Sequence, residues 1–472
     1  MNVRRERTSS FLTAGRPLTA ALCGGYFLVL LDVTVVNVAL PSIGAGFGVH
    51  SPGLVWVVDA YTVPLAALLL AAGAVGDRLG HRRIVIAGFL GFGLASVVCA
   101  VAPSWPVLVA GRALQGLCAA LVLPGTLALL VDRTSDGSAR SRVVGVWAAI
   151  GGAALPAGPL VGGLLVGTAG WRAVFWLNVP VVVAALVPVI DSRNAGKSRE
   201  PGSGRVDWLG AFGLTVMLAA LVTAVVQLED PVLADAAVAL VVVVALALWW
   251  VERTAAHPLL RVPKTARRPL LAACGVAGLM NFSVLGALFV LTQTLQDVRH
   301  LPPLAAGLLL LPGMLPLPLL GAPAGRLVAR VGYWRTAAIG LAVAAFGFAG
   351  LAGSIRIVGP AWLVALAVSL VVWGAGIGIL TPAVVAAALA ALPDASGAAS
   401  GASNTARQVG GALGVAVFGV LAGNASATAF APRVSWIFAG AAVVFAAVAA
   451  LCVVVSGVRR RVGHGGETKP VE

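Results

Sequence analysis

Long apolar runs, broken at short intervals by clusters of charge, proline and glycine, organise almost the whole chain. Each run is close to the ~20 residues that a helix needs to cross a hydrocarbon layer. The runs fall at 18–41, 54–76, 84–102, 106–131, 143–166 and 173–190, then at 208–227 and 233–251, and finally at 270–296, 304–327, 336–354, 361–391, 402–423 and 434–456. Two longer polar stretches, DSRNAGKSREPGSGRVD and ERTAAHPLLRVPKTARRP, set off the middle pair. The pattern predicts six, two and six membrane helices, numbered 1 to 14 below. The expected fold is all-α and polytopic, with two pseudo-symmetric six-helix lobes and an inserted pair. The divisions are 1–195, 196–268 and 269–472.

Composition agrees with this layout. Of 472 residues, 60% are hydrophobic and 10% charged, against about 25% charged in soluble domains. A soluble globule could not bury so much apolar surface and keep a polar exterior. Lipid is the expected surround, and large aqueous domains are excluded.

The net charge of +15 would suggest nucleic acid in a soluble protein. Here the basic residues label sidedness instead. The tail and every second loop carry nearly all of them, including Arg4, Arg5, Arg7, Arg78, Arg82, Arg83, Arg267, Arg268, Arg330 and Arg335. The alternate loops hold only Arg172, Arg299, Arg356 and Arg433. An excess of Lys and Arg marks cytoplasmic loops, so both termini are expected in the cytoplasm and no nucleic-acid partner is implied. The first apolar run is too long for a signal-peptide core and contains Asp32, so no cleavage is expected. Cys23, Cys99, Cys118, Cys274 and Cys452 sit inside apolar runs without ligand spacing, and read as packed thiols rather than disulfides or metal ligands. The five histidines lie in loops or termini, and no phosphate-binding glycine loop is present. An enzyme, a metal site and a bound cofactor are not expected.

An internal repeat supports two lobes. Between helices 2 and 3 the chain reads AGAVGDRLGHRR, residues 72–83; between helices 10 and 11 it reads AGRLVARVGYWR, residues 324–335. Gly73 aligns with Gly325, Arg78 with Arg330, Gly80 with Gly332 and Arg83 with Arg335. Parallel repeats of this kind build two-lobed transporters, with the substrate between the lobes near the bilayer midplane. Gly73, Gly76 and Gly80 permit close approach and a sharp turn. Ala329 stands where the first copy has Asp77, so the copies differ in charge.

Charge inside the apolar runs is scarce, and an ionisable group at that depth is a functional candidate by default. Asp32 lies roughly 21 Å along helix 1, and Arg112 roughly 9 Å into helix 4 from the opposite side, at ~1.5 Å per residue. Asp59 on helix 2 is at a similar level. These three are the proton-coupling candidates. The plain alternative is a static pair that holds helices 1 and 4 together. Thr34 and Asn37 lie some 140° to 200° around helix 1 from Asp32 at ~100° per residue. Either Asp32 faces a cavity while Asn37 bonds a neighbouring helix, or the reverse. Helix 5 carries two columns of small or bending residues, Gly151, Gly158 and Gly162 beside Gly152, Pro156, Pro159 and Gly163. Such a surface suits close helix packing or a pliable contact. Candidate cavity residues are Asn37 and Gln115 in the first lobe and Asn281, Phe282, Gln293, Gln296 and Trp373 in the second. A mostly apolar, aromatic cavity with few acids favours a small lipophilic cargo, cations included.

Five of these strings, in order, resemble the major facilitator superfamily, and within it the fourteen-helix drug:proton antiporter branch. They are the loop Gly73, Gly76, Asp77, Arg78, Gly80, Arg82, Arg83; LDVTVVNVALPSI in helix 1; Arg112, Gln115 and Gly116 in helix 4; Gly158, Pro159, Gly162 and Gly163 in helix 5; and WRAVFWLNVP at the start of helix 6. Two departures are His81, where a basic residue is common, and Ala154, in place of the leading glycine of the helix 5 antiporter signature. Asn404, Arg407 and Gln408 in helix 13 resemble a further family feature of unassigned role. The resemblance implies a monomeric exporter in the cell membrane, driven by the proton gradient through Asp32 and working by alternating access. It also implies that Asp77 and Arg78 latch the cytoplasmic side. Two alternatives remain open: export of an endogenous metabolite or amino acid, and ligand sensing without transport.

Overall fold

The computed structural model describes residues 16–132, 137–191, 208–227, 230–254, 263–393 and 396–464. Among them every regular element is helical. The first lobe's sequence forms α1 (Arg16–Phe47), α2 (Ser51–Leu79), α3 (His81–Ala100), α4 (Trp105–Val131), α5 (Gly137–Ala169) and α6 (Arg172–Asp191, broken at Leu177). Then come α7 (Trp208–Val226) and α8 (Pro231–Thr254). The remainder forms α9 (Lys264–Gln293), α10 (Pro303–Val331, broken at Leu315), α11 (Tyr333–Arg356), α12 (Ala361–Ala391), α13 (Ser396–Ala422) and α14 (Phe430–His464). A π-helical turn, Thr294–Val298, extends α9.

Helix is the expected outcome where lipid offers the backbone no hydrogen bonds. Prolines inside α1, α2, α4 and α5 (Pro41, Pro64, Pro124, Pro156, Pro159) are accommodated within continuous helices. Eleven described helices are long and apolar enough to cross a membrane, and shorter apolar stretches occupy 53–69, 212–226 and 232–247. Several helices outrun the apolar pattern: α1 continues to Phe47 and α5 begins at Gly137. Hydropathy marks only the lipid-facing part of a helix, and its polar ends continue the same backbone ladder.

The described residues gather into two compact units. Unit 1 draws on 1–261, 291–307 and 415–420; unit 2 draws on 262–290, 308–414 and 421–472. In unit 1, α4 packs against α2 and α3, and α1 against α5 and α6. There α7 packs against α8 and against α2. In unit 2, α11 packs against α12 and α14, and α10 against α12. Its core centres on Phe348, whose ring lies 5.9 Å from Trp373, 5.8 Å from Phe438 and 5.3 Å from Phe445. The helices α9 and α13 meet where Gly410 faces Gly278 and Gly414 faces the Phe282 backbone. No Asp or Glu occurs among the described residues of unit 2.

The repeat seen in sequence reappears as twin turns. Gly80, between α2 and α3, has φ +92°, and Gly332, between α10 and α11, has φ +88°. Each amide donates to the carbonyl four residues earlier, Gly76 and Val328, at 2.9 Å. Glycine adopts this backbone with no steric cost, so the aligned glycines make the same corner in both copies.

Candidate functional site

The deepest charges of unit 1 meet between α1 and α4. Asp32 is 0% exposed and Arg112 1% exposed, and Arg112 Nη1 is ion-paired with Asp32 Oδ2. The guanidinium is anchored elsewhere too. Its Nε donates to the Val57 carbonyl of α2 at 3.0 Å, and Nη1 donates to Gln115 Oε1 at 2.8 Å. It lies 4.4 Å from the Tyr61 ring centroid and 5.9 Å from that of Phe175. Gly116 makes this reach possible. A Cβ there would sit 2.9 Å from the Tyr61 carbonyl carbon, so only glycine lets α4 approach α2 so closely.

The other carboxylate oxygen is covered from α6. Asn178 Nδ2 donates to Asp32 Oδ1 at 2.9 Å and to Ser96 Oγ at 3.2 Å. Gln115 Nε2 also donates to Ser96 Oγ, at 2.8 Å, and the Ser96 hydroxyl in turn donates to the Phe92 carbonyl at 2.7 Å. The Cys99 thiol donates to Gln115 Oε1 at 3.5 Å. The bonds close into a ring, Asp32, Arg112, Gln115, Ser96, Asn178 and back to Asp32, drawn from α1, α4, α3 and α6. A charge this deep is tolerated when it is paired and its remaining lone pairs are satisfied. Both conditions hold at Asp32.

Asp59 is equally buried but stands apart from the ring. Its Oδ1 accepts from Thr62 at 3.1 Å, and its Oδ2 has no hydrogen-bond partner. Arg112 reaches the α2 backbone at Val57, two residues earlier and ~200° around the helix from Asp59. The structure therefore joins two of the three sequence candidates, not all three. On α1, Asn37 Nδ2 donates to the Val33 carbonyl of its own helix at 2.8 Å, and Thr34 lies under Gly158 of α5. Asp32 turns toward α4 and α6, while Asn37 bonds its own helix through Nδ2 and leaves its buried Oδ1 without a hydrogen-bond partner.

Around the glycine loop, Gly73 has open space at its Cβ position, whereas a Cβ on Gly76 would press Ile84 at 2.9 Å. Arg78 and Arg83 are exposed. Arg82 Nε donates to the Val189 carbonyl at 2.9 Å and its Nη2 to that of Ile190, closing the C-terminal end of α6. The Asp77 side chain lies outside the described residues. In α5, Gly162 faces the Val35 carbonyl, where a Cβ would lie 2.8 Å away. A Cβ on Gly163 would lie 2.7 Å from the Pro303 carbonyl oxygen, and one on Gly307 would lie 2.9 Å from the Pro159 carbonyl carbon. The two columns of α5 thus meet backbone on both sides, α1 and the first turn of α10.

The remaining cavity candidates separate. Asn281 Oδ1 accepts from Arg407 Nε at 3.3 Å within unit 2, and Phe282 is half-buried beside Gly414. Gln293 is buried, and Gln296, on the π turn, donates to the Val38 carbonyl of α1 at 3.0 Å. Trp373 is 0% exposed in the aromatic core of unit 2. Sequence reasoning passed over Ser96 and Asn178. Asn178 lay inside the quoted string WRAVFWLNVP, but an amide in an apolar helix carries no mark of what it faces. The five cysteines are free, and no cluster of metal-binding side chains occurs among the described residues.

Comparison with known proteins decides the family. The description of the Major Facilitator Superfamily matches residues 22–415. The chain belongs to the major facilitator superfamily. Within this transporter superfamily it is 34% identical over 414 residues to the multidrug resistance protein Stp of Mycobacterium tuberculosis (strain CDC 1551 / Oshkosh), covering 86% of this chain and 75% of that one. It is 35% identical over 424 residues to the methylenomycin A resistance protein of Bacillus subtilis (strain 168), covering 88% and 89%. The superfamily fold is matched in the crystal structure of the peptide transporter POT in complex with sulfate, with a TM-score of 0.69 at 16% identity over 94% of both chains. Membership makes the protein a multi-pass membrane transporter and not an enzyme.

Proposed function

We propose that the protein is a proton-coupled exporter of small lipophilic, drug-like or antibiotic compounds, cations among them. The observation that carries this reading is the buried Asp32–Arg112 pair inside membrane helices of a transporter whose relatives are named for drug resistance. A carboxylate at that depth, beside a permanent cation, can take up a proton from one side and release it to the other in turn. Inward flow of that proton through Asp32, with Arg112 tuning the site and Asp59 as a second carboxyl, drives the cargo outward by alternating access. All fourteen helices cross the membrane, as in the drug:proton antiporter branch, with both termini cytoplasmic. The glycine-rich loop 73–83 gates the cytoplasmic side, with Asp77 and Arg78 as its latch, and α5 with Gly158, Pro159, Gly162 and Gly163 provides the pliable contact. The working unit is the monomer, and the proton gradient supplies the energy without a bound cofactor.

The test is gradient-driven drug uptake into inverted vesicles, comparing the native chain with Asp32→Asn. The variant is expected to lose uptake and substrate-induced proton release. Unchanged uptake and release would overturn the assignment.

A further inference from the structure

The ring around Asp32 treats the two carboxylate oxygens differently. Oδ2 faces Arg112, a permanent cation anchored by the Val57 carbonyl, Gln115 and the Tyr61 ring. An arriving proton does not displace such a partner. Oδ1 faces only a neutral amide, which Asn178 shares between Asp32 at 2.9 Å and Ser96 at 3.2 Å. A neutral donor is the weaker of the two.

We propose that Asn178 is a positioning residue for proton exchange at Asp32: its amide, seated on Ser96, covers Oδ1 of the carboxylate and swings off when that oxygen takes the proton. The inference rests on the reading of Asp32 as the proton-carrying group. In loading, a proton from water forms an O–H bond at Oδ1; in unloading, the same bond breaks and the proton returns to water on the other side. Asn178 neither gains nor loses a proton. Ser96 gives the amide an acceptor in both states, so the buried N–H is never stranded. Asn178 is also the first residue after the break in α6 at Leu177. Loss of the Oδ1 bond therefore frees the start of the second α6 segment from α1, and the charge state of Asp32 becomes a positional signal in α6.

The groups facing Asp32 are few. Arg112 comes from α4, the Tyr61 phenol from α2 and the Cys99 thiol from α3. Among described residues α5 presents Gly158, under Thr34, and Gly162, at Val35, to this part of α1, neither of them ionisable, and the one cation of α6, Arg172, is turned to the Ala102 carbonyl and the Trp171 ring. None of these substitutes for Asn178 at Oδ1.

The experiment is infrared titration of the full chain in lipid, following the carboxylic-acid C=O band that Asp32→Asn removes. In Asn178→Ala the midpoint of that band is expected to move up by about one to two pH units, the loss of one hydrogen bond to a charged acceptor. Asn178→Ser, which keeps a shorter donor, recovers part of the shift. Ser96→Ala, which unseats the amide, moves the midpoint in the same direction by less, and serves if Asn178→Ala fails to fold. An unchanged midpoint in the Asn178 and Ser96 variants, with only stability lowered, would make Asn178 a helix tie and overturn the inference alone. A native chain with no Asp32-dependent band between about pH 4 and pH 10 would overturn the proton reading of Asp32 itself, and this inference with it.

Discussion

Removing the guanidinium of Arg112 while leaving the carboxylate of Asp32 strips a buried anion of its counter-ion. In Arg112→Met, Asp32 keeps only the Asn178 amide, and the Val57 carbonyl and Gln115 Oε1 each lose a donor. Breaking a buried pair from one side costs about 3–5 kcal/mol. The reverse change, Asp32→Asn, is milder. The guanidinium retains Val57, Gln115 and the Tyr61 face, and the loss is close to one charged hydrogen bond, about 1.5–3 kcal/mol. In the double variant no charge is left unpaired, so its cost should fall below the sum of the single costs by about 2–3 kcal/mol. The assay is reversible unfolding in mixed micelles, monitored by helical circular dichroism, for the native chain and the three variants. Additivity within about 0.5 kcal/mol would refute the reasoning, because it would mean that the two side chains do not act on one another. Transport separates energy from mechanism: the double variant is expected to regain stability and still fail to couple uptake to a pH gradient.

Other expectations follow from the backbone. Gly80→Ala and Gly332→Ala should each destabilise by about 1–2 kcal/mol through their positive φ, while Gly73→Ala and Gly325→Ala, with open space at Cβ, should change stability by less than about 0.5 kcal/mol in the same unfolding assay. Gly163→Leu and Gly307→Leu should abolish drug export with the protein still reaching the membrane, since each side chain would be driven into backbone; export at native rates would show that this contact is dispensable. Trp373→Ala should cost about 3–5 kcal/mol as a core truncation, read by unfolding, and should lower resistance to all exported compounds alike through reduced protein level. A selective change in the compounds exported would place Trp373 against cargo.

The helical architecture was legible from hydropathy because lipid leaves the backbone no other option. The pairing of Asp32 with Arg112 was legible from scarcity: with so few charges at depth, an acid and a base in reach of one another stand out. What partners them was not. Ser96 and Asn178 are polar side chains of ordinary frequency, and their role arises only when α3 and α6 are brought beside α1. Asp59 and Asp32 look alike in sequence, and the difference between them comes from a two-residue offset on α2 that turns Asp59 away from Arg112. Trp373 shows the same limit from the apolar side. An aromatic residue on an apolar helix has one signature whether it faces cargo or, as here, the ring of Phe348.

The absence of carboxylates from the described residues of unit 2 has an electrical meaning. Apart from His464 at the end of α14, the ionisable side chains there are arginines, a lysine, thiols and a phenol, which keep one charge state across physiological acidity, so the charge on the apolar part of those described helices does not vary with pH. Any acidity-dependent bias from the apolar part of the described helices must then originate in unit 1, where Asp32, Asp59 and Asp297 lie. If the protein exports as proposed, unit 2 is released from that task, and its residues can change without altering how the protein responds to acidity.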